Sequence, residues 1–288
     1  MIADAHCHAW RRWPYDTRVP DPGTRGSVDA LLYEMDAAGV GFAAIVCARI
    51  GAGAGGDGFG NEHNNDDVAE AVRRHPDRLT AWIDLDCSWR DEYHTPGAAE
   101  RLQKTVERTG ASGFTHYLRA ENDGWWAGDE ADGVMEVATE LGLIASIAAS
   151  ETWFDDLSRS SGRHPAVPVL LHHLGGQGEA ARRAVLRLAE NPSIGVKVSG
   201  FNYSAQHYWD YPYPELAGVL PDLADAFGMH RLYWGSDFPA SRDQLTYRQS
   251  LEVVREHGGL DPASTDRVMG DNLMALLQSR TVPTEGEP

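Results

Sequence analysis

The sequence predicts an α/β protein folded as a (β/α)8 TIM barrel, and three observations lead to this fold class. Eight short apolar runs alternate with segments in which apolar residues recur every three or four positions, a pattern typical of parallel strands joined by helices. The chain has 288 residues, a length that such barrels reach as one domain. No shift in composition marks a second domain. We therefore expect one barrel domain over 1–280 and a flexible C-terminal tail over 281–288; a doubly wound parallel sheet is the alternative.

Each predicted strand is a short run rich in apolar residues. The eight runs are, in chain order, Ile2–His6, Phe42–Cys47, Leu79–Leu85, Gly113–Leu118, Leu143–Ala148, Val167–Leu171, Ile194–Val198 and Arg231–Trp234. The helices between them are predicted from apolar stripes at helical spacing, such as Ala181, Val185 and Leu188. Asp261 before Pro262 is typical of a helix start, because proline tolerates the first helical position.

Charge and cysteine usage limit the classes of partner. The net charge of -18 argues against nucleic-acid binding, which needs clustered lysine and arginine. No apolar run is long enough for a membrane span, and no signal pattern opens the chain. Cys7, Cys47 and Cys87 are odd in number and lie in or beside predicted strands, so we expect buried free thiols and a cytoplasmic protein.

Candidate chemistry follows the ends of the predicted strands, where barrel active sites lie. His6 and His8 end the first strand and share one of its faces, because strand side chains alternate. His172 and His173 follow the sixth strand, so one of the two points into the barrel mouth. Asp237 follows the last strand, next to the first. Histidine nitrogen and carboxylate oxygen are common metal ligands, so these residues predict a metal site.

Several of these segments resemble one known family. The matching segments are Asp4-x-His6-x-His8, His173 within His-Leu-Gly-Gly, Val196–Gly200, Trp234–Pro239, His75–Leu79 and Gly270–Asn272. Together they resemble the amidohydrolase-related branch of the amidohydrolase superfamily, from Asp4 to Leu277. The resemblance implies a distorted (β/α)8 barrel and a metal ion held by His6, His8 and Asp237. It also implies lactonase, hydrolase, hydratase or decarboxylase chemistry.

The sequence departs from this family in its metal ligands. No histidine ends the fifth strand, and the fourth strand carries no lysine that could become a bridging carbamate. Glu62 and His63 instead follow the second strand, beyond a glycine-rich segment that we expect to be a mobile lid. With His6, His8, His173 and Asp237 they make six candidate ligands, which suit two metal ions bridged by Glu62. A solvated loop in which Asn64 or Asn65 caps the next helix is the alternative.

The loops also carry many aromatic residues, which suit a bulky and largely apolar substrate. The residues that we expect to bind it are His116, Trp125, Trp153, Lys197, Tyr203 and Trp209. Of these, His116 and Lys197 are candidate partners for a carboxylate on the substrate, as are Arg119 and Arg242. Surface ion pairs and core positions are the alternatives for these residues.

The leading hypothesis is a dinuclear iron monooxygenase that resembles a small subset of the superfamily. Two divalent ions, iron with manganese or zinc as alternatives, would activate dioxygen. An unidentified reductant would supply electrons to hydroxylate the organic substrate. In this hypothesis His172 orients a metal ligand or is a ligand itself. In the competing hypothesis a lactone is hydrolysed with Asp237 as general base, aided by His173 and one metal ion or none. Decarboxylation and a barrel that only binds a partner are further alternatives, and the chain is expected to be a monomer or a homodimer.

Overall fold

Eight parallel strands form one sheet in the order β1 to β8, each hydrogen-bonded to the next, in a computed structural model that describes residues 1–176 and 178–280. The predicted tail, 281–288, lies outside the described residues. The strands are β1 Ile2–Cys7, β2 Val40–Val46, β3 Leu79–Asp84, β4 Gly113–Tyr117, β5 Ile144–Ala148, β6 Val169–Leu171, β7 Ile194–Val198 and β8 Leu232–Trp234. The predicted (β/α)8 TIM barrel is confirmed.

Helices follow the strands and cover the outside of the barrel. They are α1 Val28–Ala38, α2 Asn64–Arg74, α3 Ala98–Thr109, α4 Asp129–Glu140, α5 Phe154–Arg163, α6 Gly178–Arg187, α7 Phe201–Ser204, α8 Val219–Phe227, α9 Tyr247–His257, α10 Pro262–Asp266 and α11 Asn272–Gln278. Asp261 caps α10 by accepting from the backbone N–H groups of Ala263 and Ser264, with Pro262 at the first helical position as predicted. Over 1–176 and 178–280, no helix is both long and apolar enough to cross a bilayer.

Backbone hydrogen bonds beyond the strands close the barrel. The Asp237 N–H donates to the His6 carbonyl at 2.7 Å, and the His8 N–H donates to the Phe238 carbonyl at 2.6 Å. The pairing of β1 with β2 shifts in register between Asp4 and Cys7, so β1 is irregular where it carries its histidines. The segment after β8 is thereby fixed against the end of β1, which brings the first and last candidate ligands together.

Two apolar layers hold this arrangement. One lies between the sheet and the helices, and a smaller one fills the barrel, where Trp82, Leu170 and Tyr233 pack against Leu273 of α11. The barrel interior is therefore a packed core, as in other barrels of this class. The rim at the carboxyl ends of the strands is the part that is free for chemistry.

Candidate active site

Three imidazoles converge on one carboxylate at the carboxyl end of the barrel. Asp237 Oδ1 lies 3.3 Å from His6 Nε2, 3.4 Å from His8 Nε2 and 3.9 Å from His173 Nε2. We call His6, His8, His173 and Asp237 the histidine–aspartate cluster. His6 and Asp237 are almost fully buried, whereas the His173 side chain is 20% exposed. The structure thus brings together four of the six predicted ligands, and His173 is the cluster member closest to solvent.

Strained backbone presents two of these side chains. Asp237 has φ 55° and His173 has φ 47°, both in the left-handed region. Residues other than glycine occupy that region rarely, and such strain concentrates at functional sites. The hydrogen bond from the Asp237 N–H to His6 holds the first of these conformations.

Hydrogen bonds orient the ligand atoms of the cluster. His8 Nδ1 lies 2.7 Å from the Val46 carbonyl, which can only accept, so Nδ1 carries the proton and Nε2 offers a lone pair. The Tyr203 hydroxyl donates to Asp237 Oδ2 at 2.7 Å, leaving Oδ1 to face the imidazoles. His8 and Asp237 therefore present one ligand atom each in a fixed direction.

The donor set fits a single divalent metal ion. His6 Nε2 is buried and has no hydrogen-bond partner within the described part of the chain, and an unsatisfied buried nitrogen is costly unless something binds it. The ligand atoms of His6, His8 and Asp237 all lie within 4.8 Å of one another. Two imidazole nitrogens and one carboxylate oxygen with an open position match the ligands of catalytic zinc sites.

A buried polar chain of Lys197, Ser146 and His172 lies directly against the cluster, and sequence reasoning missed Ser146 and the position of Lys197. Lys197 is fully buried, and its Nζ donates to Ser146 Oγ at 2.6 Å and lies 3.2 Å from His6 Nδ1. Ser146 Oγ lies 2.7 Å from His172 Nε2. Lys197 and His172 therefore contact ligand residues from the interior of the barrel, and neither lies at the mouth. The available signal was a polar residue at the centre of an apolar strand, as Ser146 is in β5.

Asp4 is a second residue that sequence reasoning did not assign. Its buried carboxylate accepts from the N–H groups of His6 and Ser236, the Ser236 hydroxyl and the Tyr247 hydroxyl. Burial raises the pKa of Asp4 to about 6, although these donors oppose the rise. Asp4 thus ties β1 to the segment that carries Asp237.

The protonation states suit metal binding. Burial lowers the pKa values of His6, His172 and His173 below the ordinary histidine value, so these imidazoles are neutral near pH 7. Burial alone would raise the pKa of Asp237, but His173 and His8 outweigh it and leave that pKa below its usual value. Neutral imidazole and ionised carboxylate are the forms that coordinate a metal.

The structure does not bring Glu62 and His63 to the cluster, contrary to the prediction. Both side chains are exposed, and neither belongs to a group of possible metal ligands among the described residues. The inner positions belong to the next two residues. Asn64 accepts from the Ala48 N–H at 2.8 Å, and Asn65 accepts from the Asp84 N–H at 2.8 Å. The start of α2 therefore anchors strand ends. Glu62 and His63 are exposed as the alternative expected, but neither Asn64 nor Asn65 caps the helix, because both lie inside it and His63 is the N-cap residue.

Most of the predicted substrate residues lie apart from the cluster. His116, Trp125 and Trp153 pack around His94, with His116 Nε2 3.1 Å from His94 Nε2. Trp209 is 65% exposed and stacks on a neighbouring histidine. Of the six residues predicted to bind substrate, Tyr203 and Lys197 contact the cluster, Tyr203 from the side of the mouth and Lys197 from within the barrel.

A family model described as amidohydrolase matches residues 3–278, and the chain belongs to the amidohydrolase family. Among curated proteins it is similar to two L-fucono-1,5-lactonases. It is 26% identical to that of Burkholderia multivorans over 65% of this chain and 71% of the relative. It is 35% identical to that of Burkholderia ambifaria over 28% of this chain, and this match spans only 29% of the relative's length.

Two solved structures share the fold over 96% of this chain and 99% of their own. One is an amidohydrolase from Burkholderia multivorans with bound zinc, at 22% identity and a TM-score of 0.73. The other is a probable 2-pyrone-4,6-dicarboxylic acid hydrolase from Acinetobacter baumannii, at 16% identity and a TM-score of 0.74.

These comparisons contradict the prediction of a dinuclear iron monooxygenase, which is wrong. The named relatives are lactonases and hydrolases, which agrees with the competing hypothesis. The physical reason lies in the loop after β2. The oxygenase reading needed Glu62 and His63 as ligands of a second ion, and both side chains are exposed.

Proposed function

We propose that this chain hydrolyses a lactone with one zinc ion held by His6, His8 and Asp237. The observation that carries the proposal is the convergence of three imidazole Nε2 atoms on Asp237 Oδ1 in a buried site. The names of the two lactonase relatives support the reaction class, and the zinc in the neighbouring amidohydrolase supports the choice of ion.

A divalent ion at this position would polarise the lactone carbonyl and lower the pKa of a water molecule. The chain itself supplies the base. Asp237 accepts a proton from the attacking water, while the Tyr203 hydroxyl holds its other oxygen. The water oxygen bonds to the carbonyl carbon, the ring C–O bond breaks, and the proton passes from Asp237 to the leaving alkoxide. The product is an open-chain hydroxy acid.

His173 and His172 have different roles in this proposal. His173 is the most exposed member of the cluster, and its Nδ1 lies 3.1 Å from the Ser199 hydroxyl. Its Nε2 is therefore directed towards the reacting groups, where it hydrogen-bonds the substrate. His172 is buried beside His6, with ring centroids 4.4 Å apart, and acts as a positioning residue.

The test is lactone hydrolysis by the zinc-loaded protein, followed as acid release with a pH indicator. We expect turnover of at least one member of a panel of five- and six-membered lactones. Asp237→Asn should lower kcat/KM about 100-fold or more, because it removes the general base and one of the three zinc ligands. Asp243→Asn is the matched control, since its carboxylate is 58% exposed and pairs with Arg25. A wild-type protein without lactonase activity, or a fully active Asp237→Asn variant, would contradict the proposal.

A further inference from the structure

We infer that Tyr15 and Tyr117 are catalytic residues of this site, and that their hydroxyls bind the substrate carbonyl oxygen as it gains negative charge. The inference rests on the proposed function, because it assigns these groups to the hydrolysis of a lactone. It follows from the position of the two rings beside the histidine–aspartate cluster, from the state of their hydroxyls, and from the backbone contacts that hold Tyr15 in place.

Tyr117 is the last residue of β4, and its side chain points into the barrel. Its ring lies edge-on to His172, with centroids 5.0 Å apart, and 4.8 Å from the ring of Trp89. In a barrel of eight strands β4 lies opposite β8, and Asp237 follows β8. Tyr117 therefore approaches the mouth from the side opposite Asp237.

Tyr15 lies in the loop after β1 and reaches the cluster through a stack of aromatic rings. Trp10 stacks on His8 with centroids 5.0 Å apart, and Tyr15 packs edge-on against Trp10 with centroids 5.6 Å apart. Trp10 is fixed in turn, because its indole N–H donates to the Ala48 carbonyl at 3.2 Å. Since His8 belongs to the cluster, this stack holds the Tyr15 ring at the mouth.

The phenols around the mouth share one environment. Burial and the Asp237 carboxylate both raise the pKa values of Tyr15, Tyr117 and Tyr203 above the ordinary tyrosine value. Tyr15 also contributes to the raised pKa values of the other two, because their charged forms would repel one another. A phenol with a raised pKa keeps its proton at neutral pH and is a hydrogen-bond donor.

The hydroxyls of Tyr15 and Tyr117 are free to donate. Tyr203 already donates to Asp237 Oδ2, whereas neither of the other two hydroxyls has a hydrogen-bond partner within residues 1–176 and 178–280. The Tyr117 oxygen is open to solvent although most of its side chain is buried, and Tyr15 is 37% exposed. These donors can therefore bind a substrate oxygen without breaking a bond inside the protein.

The glycine-rich segment after β2, 51–60, fixes the backbone on both sides of Tyr15. The Phe59 N–H donates to the Trp13 carbonyl at 2.9 Å, and the Thr17 N–H donates to the Asp57 carbonyl at 3.3 Å. Tyr15 lies midway between these two anchored positions, so its side chain leaves a backbone that is held at both ends.

Glycine is needed at two points of this contact. A Cβ on Gly56 would lie 2.7 Å from the Tyr15 carbonyl oxygen, and a Cβ on Gly58 would overlap the backbone of Pro14. Glycine allows such a close approach of two backbones because it has no side chain. The glycine-rich segment thus positions Tyr15.

The role of Asp237 leaves the carbonyl oxygen as the substrate atom for these phenols. Asp237 receives the proton of the attacking water and passes it to the ring oxygen, so both of those atoms face Asp237. The carbonyl oxygen becomes negatively charged when the water oxygen bonds to the carbonyl carbon. Hydrogen bonds from Tyr15 and Tyr117 stabilise that charge and strengthen as it develops, and both phenols keep their protons.

Kinetics of two conservative variants test these roles. Tyr15→Phe and Tyr117→Phe each remove one hydroxyl and keep the ring. We expect each to lower kcat for lactone hydrolysis by the zinc-loaded protein about 100-fold, with KM changed less than about twofold. Tyr33→Phe, at an exposed position on α1, is the control and should keep both constants. A raised KM with unchanged kcat in either variant would show uniform substrate binding and would overturn the inference.

A binding measurement tests the same residues without turnover. The probe is 2-hydroxy-1,2-oxaphosphinane 2-oxide, a six-membered cyclic phosphonate with negatively charged oxygens on a tetrahedral phosphorus. Calorimetry with the zinc-loaded protein should show about tenfold weaker binding to Tyr15→Phe and to Tyr117→Phe than to the wild type and Tyr33→Phe. Unchanged affinity in either variant, or a wild type that does not bind the phosphonate, overturns the inference. Weaker binding to both variants in a protein that hydrolyses no lactone would support these donors and contradict the proposed function.

A pair of glycine variants tests the positioning of Tyr15. Gly58→Ala forces the two backbones apart at Pro14 and should weaken phosphonate binding as much as Tyr15→Phe does, with zinc content unchanged. Gly51→Ala is the matched control in the same segment, since its Cβ would lie 3.7 Å from Glu62 Oε1, an ordinary contact. Full phosphonate affinity in a folded Gly58→Ala variant would overturn the role of this segment, and the two phenylalanine variants test the phenols independently of it.

Discussion

Replacing Asn64 with alanine tests the assignment of the start of α2 as a structural anchor. The Asn64 amide accepts from the Ala48 N–H at 2.8 Å and donates to the Ala9 carbonyl at 2.7 Å, and both bonds are buried. The Asn64→Ala variant leaves both backbone groups unpaired. Each buried unpaired group costs about 1–3 kcal/mol, so we expect the free energy of unfolding to fall by about 3 kcal/mol.

Urea denaturation at pH 7, followed by tryptophan fluorescence, measures this difference. Glu62→Ala is the matched control, since its side chain is exposed two residues earlier, in the loop that precedes α2. A change within about 0.5 kcal/mol is expected for this variant. If Asn64→Ala were as stable as the wild type, or if Glu62→Ala were destabilised as strongly, the assignment of the start of α2 as an anchor would be refuted.

Three further variants test the surroundings of the cluster. Tyr203→Phe removes the donor to Asp237 and should lower kcat for lactone hydrolysis about tenfold with little change in KM, whereas the exposed Tyr208→Phe should leave both unchanged. Lys197→Met keeps the volume but removes the contact with a metal ligand, so zinc affinity measured against a competing chelator should fall about 10–100-fold; an unchanged affinity would contradict this. His116 is buried and neutral with its pKa lowered to about 3, so its contribution to stability is lost as pH falls below the unfolded value of 6.5. Between pH 7 and pH 5 the wild type should lose about 2 kcal/mol of unfolding free energy from this group, as measured by urea titrations at the two pH values. His116→Gln has no imidazole at this position and should lose about 2 kcal/mol less. Identical pH dependence in the two proteins would argue against a neutral buried imidazole.

The barrel was predictable because its signals are local and repeated. Apolar runs set each strand, and errors arose only at ends that depend on hydrogen bonding. The sixth strand was predicted from Val167 and begins at Val169, because Pro168 has no N–H to donate to the ladder. The last strand was predicted from Arg231 and begins one residue later.

His6, His8, His173 and Asp237 were predictable from position in the chain. Each lies at or just beyond the carboxyl end of a strand, and closure of the barrel places the first and last strands side by side. The order of the strands around the barrel was enough to predict that these residues lie close together.

The loop residues were harder to predict, because loop backbone decides which of several neighbouring polar residues turns inward. Four polar residues follow one another from the end of the β2 loop into the first turn of α2, and the two amides rather than Glu62 and His63 occupy the buried positions. Composition does not distinguish these arrangements. Lys197 shows the converse error. Its charge suggested contact with the substrate, whereas the residue lies within β7 and its side chain is fully buried inside the barrel.

The zinc content of the purified protein after metal loading and removal of excess zinc tests the central claim most directly. Mass spectrometry of the bound metal should find one zinc ion per chain in the wild type and in His63→Gln, whose side chain is exposed. His8→Gln should retain little or none, since it loses a nitrogen 3.4 Å from Asp237 Oδ1. Two ions per chain that fall to one in His63→Gln, or full zinc content in His8→Gln, would contradict the account.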